Sequence, residues 1–324
     1  MMLFPETIVI VLVALAVDAL IGDPDRVWRR FSHPVAWFGG VIRALEHRLN
    51  RPQWPEARRR FLGMVALLLL VLVAAAGAWL LERVLMALPF GWLWTGIAGS
   101  MLVAQRSLHD HVARVADALD SEGLEGGRRA VSMVVGRNPA SLDEAGVARA
   151  AIETTAENFS DGVVAPAFWF LLLGLPGLAF YKAVNTADSM IGHRSPRYRA
   201  YGWASARLDD VINLVPARLS GLLIAAACAT VGRQPGPALR VMLRDARLHK
   251  SPNAGWPEAA MAGGLGLALA GPRVYGEERV EDPYLNPGGR RDAGPADIRQ
   301  ALRVMAAACL LQLLIVLLLA LALA

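Results

Sequence analysis

Long uncharged stretches alternate with short polar segments along most of the chain. A bilayer core about 30 Å thick needs about 20 largely apolar residues for each helix that crosses it. The pattern therefore predicts membrane-spanning helices at about 3–22, 62–81, 84–104, 162–181, 211–232 and 304–324. The fourth stretch contains "GLPG" at 174–177, so it is either a complete span or a re-entrant hairpin.

The segment between the third and fourth stretches has a helical period instead. Apolar residues at 108, 112, 115, 116 and 119 predict one amphipathic helix, and a second is expected over about 142–159, with Ser141 and Glu144 as a capping box. The Gly- and Pro-rich segment 271–297 is expected to be irregular. We therefore predict an all-α, polytopic integral membrane helix bundle, with 1–324 as one membrane domain and 105–161 as a cytoplasmic helical loop.

Composition and charge support this interpretation. The chain is 55% hydrophobic, too apolar for an ordinary soluble domain of 324 residues. Its net charge of +5 does not require nucleic acid as a partner, because residues 23–60 alone carry nine Arg against four acids beside a predicted span. The positive-inside rule places that segment in the cytoplasm. The first stretch lacks the basic leader of a signal peptide and is expected to stay in the membrane. Both cysteines lie in apolar runs, which argues against a disulfide or a Cys-based metal site.

The same rule leaves one topological question open. If 162–181 spans the membrane, the Arg-rich segment 182–210 lies outside, against the charge rule. A re-entrant hairpin would return it to the cytoplasmic face. Both alternatives are compatible with the sequence.

The stretch "AIETTAENFSDGVVAP" at 151–166 carries the first candidate chemistry. Glu153, Glu157 and Asp161 are four residues apart and share one helical face, where like charges destabilise each other unless a cation neutralises them. Carboxylates together with substrate phosphates are typical ligands of Mg²⁺, and Asn158 lies beside them. The alternative is structural: Arg149 pairs with Glu153, and Ser160 or Asp161 caps the next helix.

A second group follows in "KAVNTADSMIGHR". Lys182, Asn185 and Asp188 are three residues apart, and His193 and Arg194 come next. An ammonium, an amide and a carboxylate on one face can hold a phosphate and its metal. Boundary residues that pair with each other or extend to the interface are the alternative.

Two further groups lie at the ends of apolar runs. Ionisable residues at a membrane boundary are costly and often functional. A salt-bridged helix terminus is the alternative for the first group, and a membrane-entry loop anchored by Trp256 is the favoured interpretation of the second when it is taken alone. The candidates in these groups are Arg207, Asp209, Asp210, Asn213, Asn253 and Glu258. The predicted spans themselves contain few polar residues, which favours a site at the cytoplasmic surface over a transport path at the midplane.

Five polar blocks, spread in order over about residues 16–270, resemble a known family. They read "DALIGDPDRVW", "HPVAWFGGVIRALE", "SLDEAGVARAAIETTAENFSDGVVAPAFW", "YKAVNTADSMIGHRSPRYRAYGWASARLDDVINLVPARLSG" and "SPNAGWPEAAMAGGLG". They are similar to the signature blocks of the CbiB/CobD family, the adenosylcobinamide-phosphate synthases of cobalamin biosynthesis. One position departs from the family pattern: Asn138 in "GRN" stands where the family has an acid.

The resemblance implies a polytopic inner-membrane enzyme. It would use ATP to join adenosylcobyric acid to (R)-1-amino-2-propanol or its O-phosphate through an amide bond. Mg²⁺ and ATP are then the expected cofactor and cosubstrate, with Glu153, Glu157, Asp161 and Asp188 as metal ligands, and Asp209 and Asp210 as further catalytic acids. The bilayer, and other membrane enzymes of late cobalamin assembly, are the expected partners.

Phosphates and substrates would be bound by the polar residues around these acids, and no Walker A loop marks a separate ATP site. These binding residues are Asn158, Lys182, Asn185, His193, Arg194, Arg207, Asn213, Asn253 and Glu258. Two other functions remain open: a transporter of corrinoids or other anions, and a noncatalytic membrane scaffold for the pathway.

Overall fold

Helices make up most of the chain that the structure describes. It is a computed structural model that describes residues 5–23, 28, 30, 32–133, 139–275 and 278–323. The α-helices are α1 (Pro5–Ile21), α2 (Pro34–Leu49), α3 (Glu56–Met86), α4 (Gly91–Ser100), α5 (Gln105–Val131), α6 (Glu144–Phe159), α7 (Ala165–Ile191), α8 (Trp203–Ile212), α9 (Leu214–Thr230), α10 (Pro235–Asp245), α11 (Gly255–Leu265) and α12 (Pro295–Leu323). Short 3₁₀ turns lie at Pro139–Ser141 and Ala246–Leu248, and a π-helical turn at Ser160–Val164.

Four very short strands interrupt the all-α pattern: β1 (Leu269–Ala270), β2 (Arg273–Tyr275), β3 (Glu278–Val280) and β4 (Tyr284–Leu285). β1 pairs antiparallel with β4, with Leu269 opposite Leu285, and β2 pairs antiparallel with β3. The segment 271–297 is therefore partly ordered into strands and not wholly irregular. Strands of two or three residues are too short to show the alternating pattern from which a strand is predicted.

The chain forms two compact units, each assembled from segments that are distant in sequence. The first unit contains the residues up to Ala104, Ala165–Asn213 and those from Val316 onward. The second contains Gln105–Val164 and Leu214–Ile315.

The core of the first unit lies where α3, α7 and α8 meet. Leu70, Tyr181, Val184, Tyr201 and Ile212 are all buried there. Close backbone approach helps to build this core, because a Cβ added at Gly63 on α3 would lie 1.9 Å from the carbonyl oxygen of Tyr201.

The second unit packs α11 against α6, α9 and α10. Every residue of α11 except Trp256 is buried, and the helix has no β-branched side chain. Small residues let neighbouring helices approach closely: a Cβ added at Gly263 would lie 2.6 Å from the carbonyl oxygen of Pro237.

Among the described residues, three helical segments are long and apolar enough to cross a membrane: Glu56–Met86, Glu144–Ile191 and Pro295–Leu323. The bent pair α8 and α9 gives a fourth if it forms a single span. The predicted stretches 62–81 and 304–323 lie within two of these segments, and α1 covers residues 5–21 of the first prediction.

The predicted span at 84–104 is not one helix. α3 ends at Met86, and α4 begins at Gly91 after Pro89 and a left-handed Phe90 with φ of 59°. The ten residues of α4 extend only about 15 Å, half the hydrocarbon thickness. Pro89 and Gly91 are the local reason for the break, since the first removes a backbone donor and the second packs directly against Met86.

Two local predictions need correction. The N-cap of α6 is Asp143, whose carboxylate accepts a hydrogen bond from the Gly146 N–H at 2.7 Å, so the helix does not begin with the Ser141 capping box. At the other end, Ser160 and Asp161 belong to the π-helical turn and do not form the N-cap of a helix starting at Val163.

Candidate functional site

A buried carboxylate on α8 lies at the centre of a polar cluster in the first unit. Asp209 is 9% exposed, and both of its oxygens accept amide hydrogen bonds. Asn185 Nδ2 donates to Oδ1 at 3.3 Å, and Asn213 Nδ2 donates to Oδ2 at 3.0 Å. The Tyr181 hydroxyl donates to Asn213 Oδ1 at 3.1 Å.

Helical spacing explains why these side chains meet. Tyr181, Asn185 and Asp188 are four and three residues apart on α7, so they share one face. Asp209 and Asn213 are likewise one turn apart at the end of α8. We call the group formed by Tyr181, Asn185, Asp188, Asp209, Asp210 and Asn213 the Asp209 cluster.

The Asp209 cluster concentrates negative charge. The charges of Asp188 and Asp210 both act on the Asp209 carboxylate. Asp188 is held against the chain that follows it: a Cβ added at Gly192 would lie 1.9 Å from Asp188 Oδ1. Arg207 offsets part of the charge through a long ion pair with Asp210, 3.4 Å from NH1 to Oδ2. Neighbouring carboxylates repel each other, and a bound cation would relieve that repulsion.

Two of the predicted phosphate-binding residues follow directly after this cluster. His193 and Arg194 lie in the 192–202 loop, the segment that joins α7 to α8, and both side chains are exposed. Within the described part of the chain, neither forms a hydrogen bond or an ion pair. They are therefore accessible to an anionic ligand.

The acids of the 151–166 stretch have different environments in the second unit. Glu153 is 5% exposed, and its Oε1 accepts a hydrogen bond from the Ala270 N–H at 2.8 Å. Glu157 and Asn158 are exposed, whereas Asp161 is half-buried in the π-helical turn. The extra residue of a π turn rotates the positions after it, so the three acids do not form the continuous row that a regular α-helix predicts.

Asn253 and Glu258 come together in the second unit with residues that were not on the candidate list. Arg218 NH1 donates to Asn253 Oδ1 at 3.2 Å, and its guanidinium lies over the Trp256 ring at 4.5 Å. His249 Nε2 lies 3.7 Å from Glu258 Oε1, and Glu258 is 2% exposed. This group is a second polar centre, and Arg218 at an apolar boundary was its sequence signal.

The described residues do not form a metal site from protein side chains alone. Among them, no three His, Cys, Asp or Glu side chains lie close enough together to hold a metal ion. Mg²⁺ does not require such a group, because it is usually held by one or two carboxylates together with substrate phosphates. The oxygens of Asp188 and Asp209 fit that donor set. Gly136, Arg137 and Asn138, where the sequence departs from the family pattern, lie outside the described residues.

An apolar cavity of about 440 Å³ also lies in the first unit, and none of the candidate residues lines it. It is bordered by α2, α3, α4 and α7, with Trp37, Phe38 and Leu81 among its walls. The chemistry-bearing side chains are instead in the two polar centres described above.

These features define a largely helical protein with several helices suited to a membrane and two buried polar centres. The sequence model of the CobD/CbiB family matches residues 11–305, so the chain belongs to that family.

Three similar proteins are each named cobalamin biosynthesis protein CobD. The protein from Sinorhizobium sp. is 54% identical over 94% of this chain and 95% of its own length. The proteins from Rhizobium meliloti strain 1021 and Rhodobacter capsulatus are 52% identical over 94% of each chain and 50% identical over 90% of each chain. No solved structure matches the chain.

Proposed function

We propose that this protein acts in cobalamin biosynthesis as an adenosylcobinamide-phosphate synthase. It would join a propionate carboxylate of adenosylcobyric acid to the amine of (R)-1-amino-2-propanol or its O-phosphate, with ATP as cosubstrate. Family membership supports the pathway. The observation that carries the chemistry is the Asp209 cluster, where the buried Asp209 and the half-buried Asp188 and Asp210 are followed in sequence by the exposed His193 and Arg194.

The reaction requires an activated carboxylate, because a carboxylate is a poor electrophile. Transfer of the γ-phosphoryl group of ATP to the substrate carboxylate gives an acyl phosphate and ADP. The amine then attacks the acyl carbon, the C–O bond to phosphate breaks, and inorganic phosphate leaves as the amide forms. Phosphoryl transfer depends mainly on positioning and on spreading negative charge, which requires cations and fixed hydrogen-bond donors.

The residues of the first unit provide these functions in the proposal. Asp188 and Asp209 would hold Mg²⁺, which supplies charge neutralisation for the nucleotide phosphates when bound. Asn185 and Asn213 fix the Asp209 carboxylate through its two oxygens. His193 and Arg194 would bind phosphate oxygens, with Lys182 and Arg207 nearby in sequence. Asp210 Oδ2, partly exposed on α8, would accept the proton that the attacking amine loses.

Asn253 and Glu258 of the second unit stay in the proposal as substrate-binding residues. Asn253, Glu258 and Arg218 offer donors and acceptors suited to amide and carboxylate groups. Glu157, Asn158 and Asp161 are kept as substrate or metal contacts, while the backbone bond of Glu153 gives that residue a structural function as well.

The decisive experiment is an assay of the purified, detergent-solubilised protein. We expect adenosylcobinamide phosphate by mass spectrometry when adenosylcobyric acid, aminopropanol phosphate, Mg²⁺ and ATP are all present, and none when any is omitted. Asp209→Asn and Asp188→Asn should each lower kcat at least about 100-fold, the order of magnitude for lost transition-state electrostatics. Asp292→Asn, which changes an 82% exposed carboxylate, is the matched control and should keep wild-type activity.

Two results would contradict the proposal. Folded Asp209→Asn and Asp188→Asn variants with wild-type rates would exclude this cluster as the catalytic site. Substrate flux in proteoliposomes without any ATP-dependent product would favour a transporter.

A further inference from the structure

The 192–202 loop is closed at its base by direct backbone packing. A Cβ added at Gly202 would lie 1.6 Å from the carbonyl oxygen of Ile191, so the two ends of the loop touch. Inside it, the Gly202 N–H donates to the Tyr198 carbonyl at 2.7 Å and the Arg199 N–H donates to the Ser195 carbonyl at 2.8 Å. Loops of this length with adjoining ends are compact surface structures that often carry function.

A buried polar network on α2 and α3 holds the middle of this loop. Arg197 forms a two-pronged ion pair with Glu46, with Nε 2.9 Å from Oε1 and NH2 3.0 Å from Oε2. Asn50 Nδ2 donates to the Arg197 carbonyl at 3.1 Å, and Arg59 Nε donates to Asn50 Oδ1 at 2.8 Å. The Arg59 NH2 group also donates to the carbonyl of Arg197. We call Glu46, Asn50 and Arg59 the anchor residues.

The anchor residues are almost inaccessible to solvent. Glu46, Asn50 and Arg59 are 7%, 6% and 8% exposed. A buried carboxylate is costly unless it is paired and hydrogen-bonded, and among the described residues Arg197 and Asn50 meet both conditions for Glu46. Burial, and then the negative charge of Glu46, also raise the pKa of Tyr201 in the last turn of the loop. Glu46 therefore acts on two positions of the loop, Arg197 and Tyr201.

Some basic residues of the loop form ion pairs and others do not. Arg197 is bound to buried Glu46, and Arg199 is bound to Glu56 at an exposed position. Arg194 and His193, in contrast, form no hydrogen bond or ion pair with any described residue. The anchor residues thus hold the loop at Arg197, while the side chains of His193 and Arg194 stay exposed beside Asp188.

We propose that Glu46, Asn50 and Arg59 are positioning residues that set the 192–202 loop so that His193 and Arg194 bind a phosphate group of a substrate. This inference rests on the proposed function, because it assigns a binding function to the same site. The phosphate belongs either to aminopropanol phosphate or to ATP, and the same guanidinium and imidazole chemistry recognises both.

Steady-state kinetics on Glu46→Gln tests the proposal. The substitution keeps the side-chain shape and removes the charge that binds Arg197. We expect the KM of the phosphate-bearing substrate to rise roughly ten- to a hundred-fold, as for a displaced positioning group, with kcat changed less than about threefold. If aminopropanol phosphate is the ligand, its KM rises while those of free aminopropanol and ATP do not. If ATP is the ligand, its KM rises with either amine.

Glu56→Gln is the matched control, because it removes the carboxylate partner of another arginine of the same loop at an exposed position. Exposed pairs contribute little, so its kinetic constants should stay at wild-type values. The double variant Glu46→Ala/Arg197→Met removes both the buried carboxylate and the exposed guanidinium that pairs with it. If that variant folds as well as the wild type and still shows the raised KM, the network acts by positioning.

Unchanged KM values in a folded Glu46→Gln variant would overturn the proposal, as would a double variant with both wild-type stability and wild-type KM. Hydrogen exchange separates this result from failure of the proposed function. If the wild type makes no product, positioning is still supported by two results together. The first is faster hydrogen exchange at 192–202 in Glu46→Gln but not in Glu56→Gln. The second is that Glu46→Gln no longer binds aminopropanol phosphate or ATP in calorimetry. Equal exchange and equal binding in both variants would contradict it.

Discussion

The carboxylate of Glu153 joins two distant parts of the second unit. Its Oε1 accepts the hydrogen bond of the Ala270 N–H, 117 residues further along the chain. Ala270 has a positive φ of 58°, which is unfavourable for a residue with a Cβ. The hydrogen bond from Glu153 therefore stabilises a strained turn between α11 and the short strands.

Glu153→Ala should destabilise the protein by about 1–3 kcal/mol, because it leaves a buried backbone N–H without its acceptor. Glu153→Gln should restore most of this loss, since its amide oxygen can still accept the bond. The measurement is the thermal unfolding midpoint of the detergent-solubilised protein, followed by circular dichroism.

The control for this prediction is Glu157→Ala, one helical turn away but exposed. It should change the unfolding free energy by no more than about 0.5 kcal/mol. Equal midpoints for the two alanine variants would show that the Glu153 bond does not stabilise the fold.

At the scale of single elements, the backbone of the apolar helix α7 is interrupted at Gly174. Gly174 has φ of 68° and ψ of −161°, a conformation essentially restricted to glycine. The next residue, Leu175, donates its N–H to Glu82 Oε1 of α3 at 3.0 Å. The carboxylate thus caps the second half of the helix, and Pro176 fits there because the first helical turn has no partner for its missing donor.

Gly174→Ala should lower stability by about 1–3 kcal/mol because of backbone strain, and its Cβ would also lie 2.7 Å from Glu82 Oε1. Glu82→Ala should cost about 1 kcal/mol through loss of the cap, and Glu82→Gln less. Gly77→Ala on α3 is the control, because no atom lies within 4 Å of its added Cβ. A stability loss for Gly77→Ala as large as that for Gly174→Ala would contradict this assignment of strain.

The helix breaks also show which features of the fold can be predicted from sequence patterns. A change of direction at "GLPG" is predictable because Gly and Pro change backbone geometry directly, and the backbone of α7 is non-helical at Gly174. The choice between a complete span and a re-entrant hairpin stays a prediction. The break at Phe90 was missed because an uncharged stretch was read by hydropathy alone, although Pro89 and Gly91 were visible. The π-helical turn at Ser160–Val164 has no comparable signal, since it depends on packing in the finished fold.

For the whole molecule, most members of the Asp209 cluster were candidates from sequence spacing, but Tyr181 and the residues that support the neighbouring loop were not. Asn185, Asp188, Asp209 and Asn213 were found because charged and amide groups at apolar boundaries stand out. Glu46 and Arg59 were missed because they lie in the Arg-rich segment, where the positive-inside rule already explained the charge. Their contacts to the loop span about 140–150 residues of sequence, and no local pattern reports such contacts.

Those contacts also bear on the question of which segments share one side of the membrane. The Arg60 guanidinium lies 4.9 Å from the Trp203 ring, and Glu56 pairs with Arg199. The Arg-rich segment before α3 and the 192–202 loop are thus neighbours, as the charge rule requires of two basic segments. A re-entrant hairpin at 162–181 would likewise put the Arg-rich segment and the 192–202 loop on the same side of the membrane.

A labelling experiment tests this topology. α3 has 31 residues and extends about 46 Å, enough to cross the hydrocarbon core, so Leu88 just beyond it should lie on the opposite side from Arg58. In a variant without Cys228 and Cys309, we expect Arg58→Cys and Arg199→Cys to react with an impermeant maleimide only after cell lysis. Leu88→Cys should react in intact spheroplasts.

The cysteine-free background should remain unlabelled, and all three variants should label after denaturation. Labelling of Arg58→Cys and Arg199→Cys from opposite sides would contradict the contacts between the Arg-rich segment and the loop. Labelling of Leu88→Cys from the same side as both would mean that α3 does not cross the membrane. Because the 192–202 loop follows Asp188 directly, the side on which Arg199→Cys reacts is also the side from which phosphate-bearing substrates must approach the Asp209 cluster.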